Sequence, residues 1–312
     1  MPFHPLIAAA ALLPMIAAFP VSVAQSTGPA TAATEVIVGA RDRYDRMTVP
    51  VRIGPHGPYR FLIDTGAERT VLARNVVEQM GLAPSSTATL VGVAGSQQVD
   101  LVEVDEISLG RRTFYTLSAP VLEGINIGAD GIVGLDSLQD QRVLIDFANN
   151  RMAIDDAAAL GGNRGYDIVV TARRRSGQLI MANALVDGVR TDVVIDTGAD
   201  STIGNPALQR ALARRHKTDK TQLISVTGQQ ITGDIGLART VEIGGVRMQN
   251  TTIVFADAPA FDKLALSRKP AMLLGMAQLR LFRRVAIDFG SKRILFDLPP
   301  HVDDFRATAG NF

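Results

Sequence analysis

The sequence contains no cysteine, no tryptophan, only four histidines and a formal net charge of just +1 over 312 residues. Without cysteine there is no disulfide, no thiolate metal site and no catalytic thiol. The histidines are scattered and match no metal-ligand spacing. The chain also lacks a Gly-rich phosphate loop, a G-x-S-x-G elbow and the basic clustering of nucleic-acid-binding proteins. We therefore expect no metal, no other cofactor and no nucleic-acid partner.

One long apolar segment is present, near the N-terminus. Residues 6–19 are almost wholly apolar, and small residues precede a cleavage point after Ala24. This pattern predicts a secretory signal peptide over 1–24, a flexible leader over 25–34 and a periplasmic or secreted protein. An uncleaved anchor is the alternative, although Pro14 and Pro20 interrupt the segment. No second segment is long enough to cross a bilayer, so the sequence predicts no membrane span in the mature chain.

The rest of the chain is an internal repeat. Three segments recur in the same order in its two halves: 61–68 (FLIDTGAE) as 193–200 (VVIDTGAD), 131–135 as 272–276, and 142–147 as 284–289. Repetition of three segments in order indicates duplication with loop insertions. We expect an N-terminal lobe over 35–157, a C-terminal lobe over 158–300, a joint between them within 155–165 and a tail over 301–312.

Both copies have the pattern of β-structure. Short β-branched runs separated by Gly and Pro predict strands at 35–39, 47–53 and 59–63 in the first copy and at 167–173, 179–186 and 191–195 in the second. Ser176-Gly177 and Asp187-Gly188 are typical hairpin turns. Each copy has one clear helix, at 73–80 and 206–216, the latter with a cap and proline at Asn205-Pro206. The fold class predicted is all-β with a few short helices.

The repeated Asp-Thr-Gly triplet is the candidate for chemistry. Each triplet follows three apolar residues, so each aspartate, Asp64 and Asp196, leaves a buried strand at a tight turn. A single triplet of this kind is commonly just a turn. Two copies related by a pseudo-two-fold axis would bring the carboxylates face to face, where they share one proton. One carboxylate can then act as a general base on water and the other as a general acid.

With these motifs, the sequence resembles the pepsin and retropepsin superfamily of aspartic peptidases. The resemblance rests on the two Asp-Thr-Gly-Ala motifs and on their apolar-apolar-Gly partners at 132–134 and 273–275. It implies a bilobed acid-protease fold with Asp64 and Asp196 as the catalytic pair. It also implies residues that support the pair and two hairpin flaps that bind substrate: Thr65, Gly66, Thr197 and Gly198 in support, Gly92, Val93, Ala94 and Gly95 in one flap, and Val226, Thr227 and Gly228 in the other.

The sequence departs from that family in three places. Retroviral-type enzymes have an arginine after the downstream glycine, where this chain has Leu135 and Met276. That arginine pairs with the acid that ends the first motif, so Glu68 and Asp200 lack their expected partner. No tyrosine lies in either flap. These differences concern the substrate pockets and the flaps more than the aspartate pair.

The leading hypothesis is an aspartic endopeptidase that acts on polypeptides as a monomer with an internal pseudo-dimer. The alternative is a non-catalytic protein that binds a peptide or an envelope fragment in the same cleft, since a fold does not determine a function. The proposed flaps could equally be plain surface hairpins. Asp146 and Asp288, which also recur between the copies, are interpreted as structural residues at strand ends.

Overall fold

The computed structural model describes residues 37–38, 40–41, 47–212 and 219–300, all within one compact unit. The predicted signal peptide 1–24, leader 25–34 and tail 301–312 lie outside the described residues. No helix in the described part of the chain is long and apolar enough to cross a bilayer.

The first half of the chain is built of strands and two short helices. Their bounds are β1 (Ile37–Val38), β2 (Ala40–Arg41), β3 (Met47–Ile53), β4 (His56–Ile63), β5 (Val71–Ala73), α1 (Arg74–Met80), β6 (Pro84–Gly92), β7 (Gly95–Leu109), β8 (Arg112–Leu122), α2 (Gly124–Ile127), β9 (Gly131–Val133), β10 (Arg142–Asp146) and β11 (Arg151–Asp155).

The second half repeats this arrangement. Its elements are β12 (Ile168–Thr171), β13 (Arg173–Arg175), β14 (Gln178–Val186), β15 (Val189–Ile195), β16 (Ile203–Gly204), α3 (Pro206–Leu212), β17 (Asp219–Ile224), β18 (Gln230–Ile243), β19 (Val246–Phe255), α4 (Pro259–Lys263), β20 (Ala271–Leu274), α5 (Met276–Leu279), β21 (Arg284–Asp288) and β22 (Arg293–Asp297).

The strands form two equivalent eight-stranded sheets and one six-stranded sheet that the halves share. The strand order is β2-β3-β4-β9-β5-β8-β7-β6 in the first sheet, β13-β14-β15-β20-β16-β19-β18-β17 in the second, and β1-β11-β10-β21-β22-β12 in the shared sheet. Equivalent strands occupy equivalent places in the two large sheets. The bilobed, mostly β fold predicted from the sequence is confirmed; the lobe boundaries at 157 and 158 stay predictions.

Each Asp-Thr-Gly motif follows the buried end of a strand inside its sheet. Residues 61–63 of β4 are buried and pair in parallel with β9, while residues 193–195 of β15 pair in parallel with β20. Burial on both faces explains why these runs are wholly apolar rather than alternating. Consequently each motif begins where the chain leaves the hydrophobic core.

The predicted helices and turns lie close to their expected places. Helix α1 begins at Arg74 rather than at residue 73, because Ala73 keeps an extended backbone and is the N-cap. Helix α3 begins at Pro206, and the Asn205 side chain accepts the Leu208 N–H as a cap. Its predicted end, at residues 213–216, lies outside the described residues. Ser176-Gly177 and Asp187-Gly188 both have positive φ at each position, as a type I′ hairpin turn requires.

A buried ion pair joins the halves at the centre of the shared sheet. Arg142 of β10 and Asp288 of β21 are 2.6 Å apart, and both side chains are almost fully buried. Burial raises the pKa of Asp288, but hydrogen bonds from the Ser291 N–H and from Arg142, together with the charge of Arg142, outweigh it and hold that pKa below its ordinary value. Asp146, at the end of β10, accepts the Asn149 N–H. Both aspartates therefore have structural contacts.

Replacing Arg142 should destabilise the protein in a pH-dependent manner. Arg142→Met leaves Asp288 buried without its partner, so we expect the free energy of unfolding at pH 7 to fall by about 3–5 kcal/mol. Because the pKa of Asp288 is lowered on folding, the pair stabilises the fold above pH ~4 and that contribution is lost as the pH falls through the folded pKa. Chemical denaturation at pH 7 and pH 3 measures both effects.

Arg247→Met is the matched control, since Arg247 pairs with Glu242 at the surface. Its cost should stay under about 1 kcal/mol. Equal costs for Arg142→Met and Arg247→Met would contradict the stabilising role of the buried pair.

Candidate active site

Each Asp-Thr-Gly turn is closed by its own aspartate. Oδ1 of Asp64 accepts the N–H groups of Gly66 at 2.7 Å and Ala67 at 3.1 Å. Oδ1 of Asp196 accepts the equivalent N–H groups of Gly198 and Ala199, at 3.0 and 3.1 Å. Two main-chain donors per carboxylate fix the direction of each side chain without needing another charged group.

The two carboxylates lie close together, on either side of the same small region between the turns. A Cβ atom added to Gly66 would lie 2.9 Å from Oδ1 of Asp196 and 3.1 Å from Oδ1 of Asp64. A Cβ added to Gly198 would lie 2.3 Å from Cγ of Asp64. Glycine is therefore required at both positions because any side chain would displace a carboxylate, whereas neither backbone needs a positive φ.

Crossed hydrogen bonds between Thr65 and Thr197 hold the two turns together. Oγ1 of Thr65 donates to the Ile195 carbonyl at 2.9 Å, and Oγ1 of Thr197 donates to the Ile63 carbonyl at 2.7 Å. Each hydroxyl also accepts the main-chain N–H of the other threonine, at 3.0 and 3.3 Å. Both threonines are buried, so water cannot replace these bonds.

The two predicted flap segments are the tips of hairpins that meet each other. β6 and β7 turn at residues 93–94, and β17 and β18 turn at residues 225–229. A Cβ added to Gly92 would lie 2.5 Å from Oγ of Ser225. Nε2 of Gln229 donates to the carbonyl of Ser96 at 3.2 Å. The hairpin tips thus touch across the line between the lobes.

A cavity of about 360 Å³ lies between the hairpins and the two Asp-Thr-Gly turns. Gly66, Asp196 and Gly198 line it on one side, and Gly92 and Val226 line it on another. Its remaining wall includes apolar side chains of the second half: Val194, Ile203, Leu223, Leu264 and Leu273. A second cavity of about 270 Å³ has an equivalent apolar wall in the first half: Val71, Leu90, Val99, Leu101, Leu122 and Ile132.

A comparison with models of known protein families shows the family of this chain. A family model described as aspartyl protease matches residues 49–137 and 182–277. The chain belongs to the aspartyl protease family. Each match contains one Asp-Thr-Gly turn, so the prediction of two retropepsin-like lobes is confirmed. A comparison with curated proteins finds no match.

This family member has its own partners for the acids that follow the motifs. Glu68 forms an ion pair with Lys263 of α4, at 2.7 Å, and that lysine belongs to the opposite half. Asp200 lies 3.9 Å from Arg280. From the sequence, both acids lack the family arginine, because Leu135 and Met276 stand in its place, and their role is open. The structure supplies other cations from elsewhere in the chain.

Sequence reasoning missed three residues that the fold brings to the cleft. Lys263 reaches Glu68, Asn126 of α2 lies against Gly228, and Gln178 of β14 donates to the Gly66 carbonyl. None belongs to a repeated motif, and each contacts the opposite half of the chain. No local pattern could have pointed to them. Among the described residues, no group of three or more His, Asp or Glu side chains is arranged to hold a metal ion.

Replacing Thr197 by valine should destabilise the protein by loosening the paired turns. Thr197→Val keeps the shape of the side chain but leaves the Ile63 carbonyl and the Thr65 N–H buried without partners, so we expect a loss of about 2–4 kcal/mol in the free energy of unfolding. Chemical denaturation measures the loss. The control is Thr252→Val, at an exposed strand position, which should change stability by less than about 0.5 kcal/mol. Equal effects of the two substitutions would show that the crossed hydrogen bonds contribute little.

Proposed function

We propose that this aspartyl protease family member is an active aspartic endopeptidase that uses Asp64 and Asp196 together. The observation that carries the proposal is the placement of two carboxylates around one point, held by crossed threonine hydrogen bonds, beside a cavity covered by two hairpins. A pair of acids so arranged can hold one proton between them. It can therefore supply a base and an acid in a single step.

The reaction is hydrolysis of a peptide bond by water. One carboxylate takes a proton from a water molecule, whose oxygen bonds to the peptide carbonyl carbon. The other carboxylate gives its proton to the carbonyl oxygen, so that a neutral tetrahedral intermediate forms. The carboxyl group that took the water proton then gives it to the nitrogen, and the C–N bond breaks to release an amine. The other carboxylate takes a proton from one hydroxyl of the intermediate, which leaves a carboxylic acid as the second product. One water is consumed, and both aspartates return to their starting state.

The substrate that suits this cleft is an extended peptide. The two flap hairpins offer main chain beside the cavity. Their strands are 84–92 and 95–109 in the first half and 219–224 and 230–243 in the second. An extended chain can bind such segments by main-chain hydrogen bonds, with alternate side chains in pockets. The apolar walls of the two cavities favour peptides that have apolar side chains on both sides of the cleaved bond.

Replacing either aspartate by asparagine should abolish cleavage. Asp64→Asn and Asp196→Asn each remove one proton carrier while keeping the size of the side chain, so we expect kcat/KM on an unfolded protein substrate to fall by about 10³-fold or more. The rates are measured from acid to mildly alkaline pH. Asp105→Asn, at an exposed strand position, is the control and should keep the rate of the unmodified protein.

Wild-type rates in either variant would disprove a shared pair. Binding of peptides without product at any pH, by the unmodified protein, would favour the non-catalytic alternative. The two results are separable by following binding and cleavage in the same samples.

We also propose that the protease works in the periplasm or outside the cell, on the basis of the apolar segment and the cleavage pattern ending at Ala24. Expression of the full chain in a Gram-negative host, followed by fractionation and N-terminal sequencing, tests this. The expected product begins at Gln25 and is released with the periplasm. A chain that begins at its first residue and sediments with membranes would support the anchor instead.

A further inference from the structure

Gln178 is held in a fixed position at the boundary between the halves. It is the first residue of β14 and directly follows the type I′ turn at Ser176 and Gly177. A Cβ added to Gly177 would lie 3.1 Å from Cδ1 of Leu135, in the first half. The turn therefore packs against the opposite half, and it presents Gln178 to the first Asp-Thr-Gly motif.

The side-chain amide of Gln178 is oriented by Gly66. Nε2 donates to the Gly66 carbonyl at 2.6 Å. A carbonyl oxygen only accepts hydrogen bonds, so the nitrogen must face it and Oε1 must face elsewhere. Gln178 is 8% exposed, and its Oε1 has no hydrogen-bond partner. The residue is thus an oriented, buried amide with one unused acceptor.

The location of Gln178 distinguishes it from other residues that have an unpaired buried atom. Buried polar atoms without a partner are rare and costly, so each calls for a reason. Gln141 also has a buried Oε1 without a partner, but it does not line the central cavity. Gln178 does line it, together with Gly66, Asp196 and Gly198. Among the described residues that line this cavity, Gln178 is the one with a buried side-chain atom that lacks a partner.

We propose that Gln178 is a substrate-positioning residue whose Oε1 accepts one main-chain N–H group of the bound peptide. The Gly66 carbonyl, two residues after Asp64, already accepts a hydrogen bond from Nε2 of Gln178. A peptide N–H that donates to Oε1 of the same amide continues this into a chain of hydrogen bonds, and the bonds of such a chain strengthen one another. The ligand class is a secondary amide, which an ester or a proline at the same position cannot imitate. This inference rests on the proposed function.

Peptides in which a single main-chain N–H is replaced by an ester oxygen test the proposal. A series of such peptides places the ester at successive positions on both sides of the cleaved bond, leaving that bond as an amide. For the unmodified protein, kcat/KM should fall about 10-fold or more at one position. In Gln178→Leu the same ester should cost less than about 3-fold, because the acceptor is already gone.

The dependence on a single N–H separates positioning from a structural role. If Gln178 only supported the Gly66 turn, Gln178→Leu would lower the rates on all peptides by the same factor and keep the ester penalty. Gln141→Leu is the matched control and should keep the penalty of the unmodified protein. Gln178→Met, which retains the side-chain length, replaces the leucine variant if thermal unfolding shows that the latter does not fold.

Three results would overturn the inference. Equal ester penalties in the unmodified protein and in the Gln178 variants would do so, as would the lack of any sensitive position in the unmodified protein. In both cases the all-amide peptide is still cleaved, and the proposed function stands. If the unmodified protein cleaves no all-amide peptide and no protein substrate, the proposed function fails and this inference fails with it.

Discussion

The crossed hydrogen bonds between Thr65 and Thr197 determine where everything else in the cleft can be. Each hydroxyl donates to a carbonyl of the opposite half and accepts an N–H from it, so both turns are fixed by the same four bonds. Because the threonines are buried, no water competes for these partners. The aspartates precede the threonines in the chain, and their separation follows from this contact.

Around that symmetric contact the protein is not symmetric. In the shared sheet Arg142 pairs with Asp288, but the equivalent arginine, Arg284, bonds Asp297 instead of Asp146. Two further contacts are made by side chains of the second half with the first half: Lys263 pairs with Glu68, and Gln178 donates to the Gly66 carbonyl. A duplicated fold thus encloses its two like carboxylates in unlike surroundings.

The features that could be predicted from the sequence are those that recur in both halves or depend on a few neighbouring residues. The buried strands before Asp64 and Asp196, the helix start at Pro206 and the I′ turns follow from apolar runs, a cap with proline, and turn residues, all of which act over a few positions. The partners of Glu68 and the place of Gln178 could not be predicted. Those contacts join residues more than 100 positions apart, and each occurs once, so neither periodicity nor repetition marks them.

A proton and a water held between Asp64 and Asp196 are the centre of the proposed mechanism, and a neutron crystal structure of the mature protein would test their presence most directly. We expect one hydrogen shared by or bound to this pair of carboxylates, with a water within hydrogen-bond distance of both. Carboxylates that are turned apart, or that have no water between them in the open cleft, would contradict it.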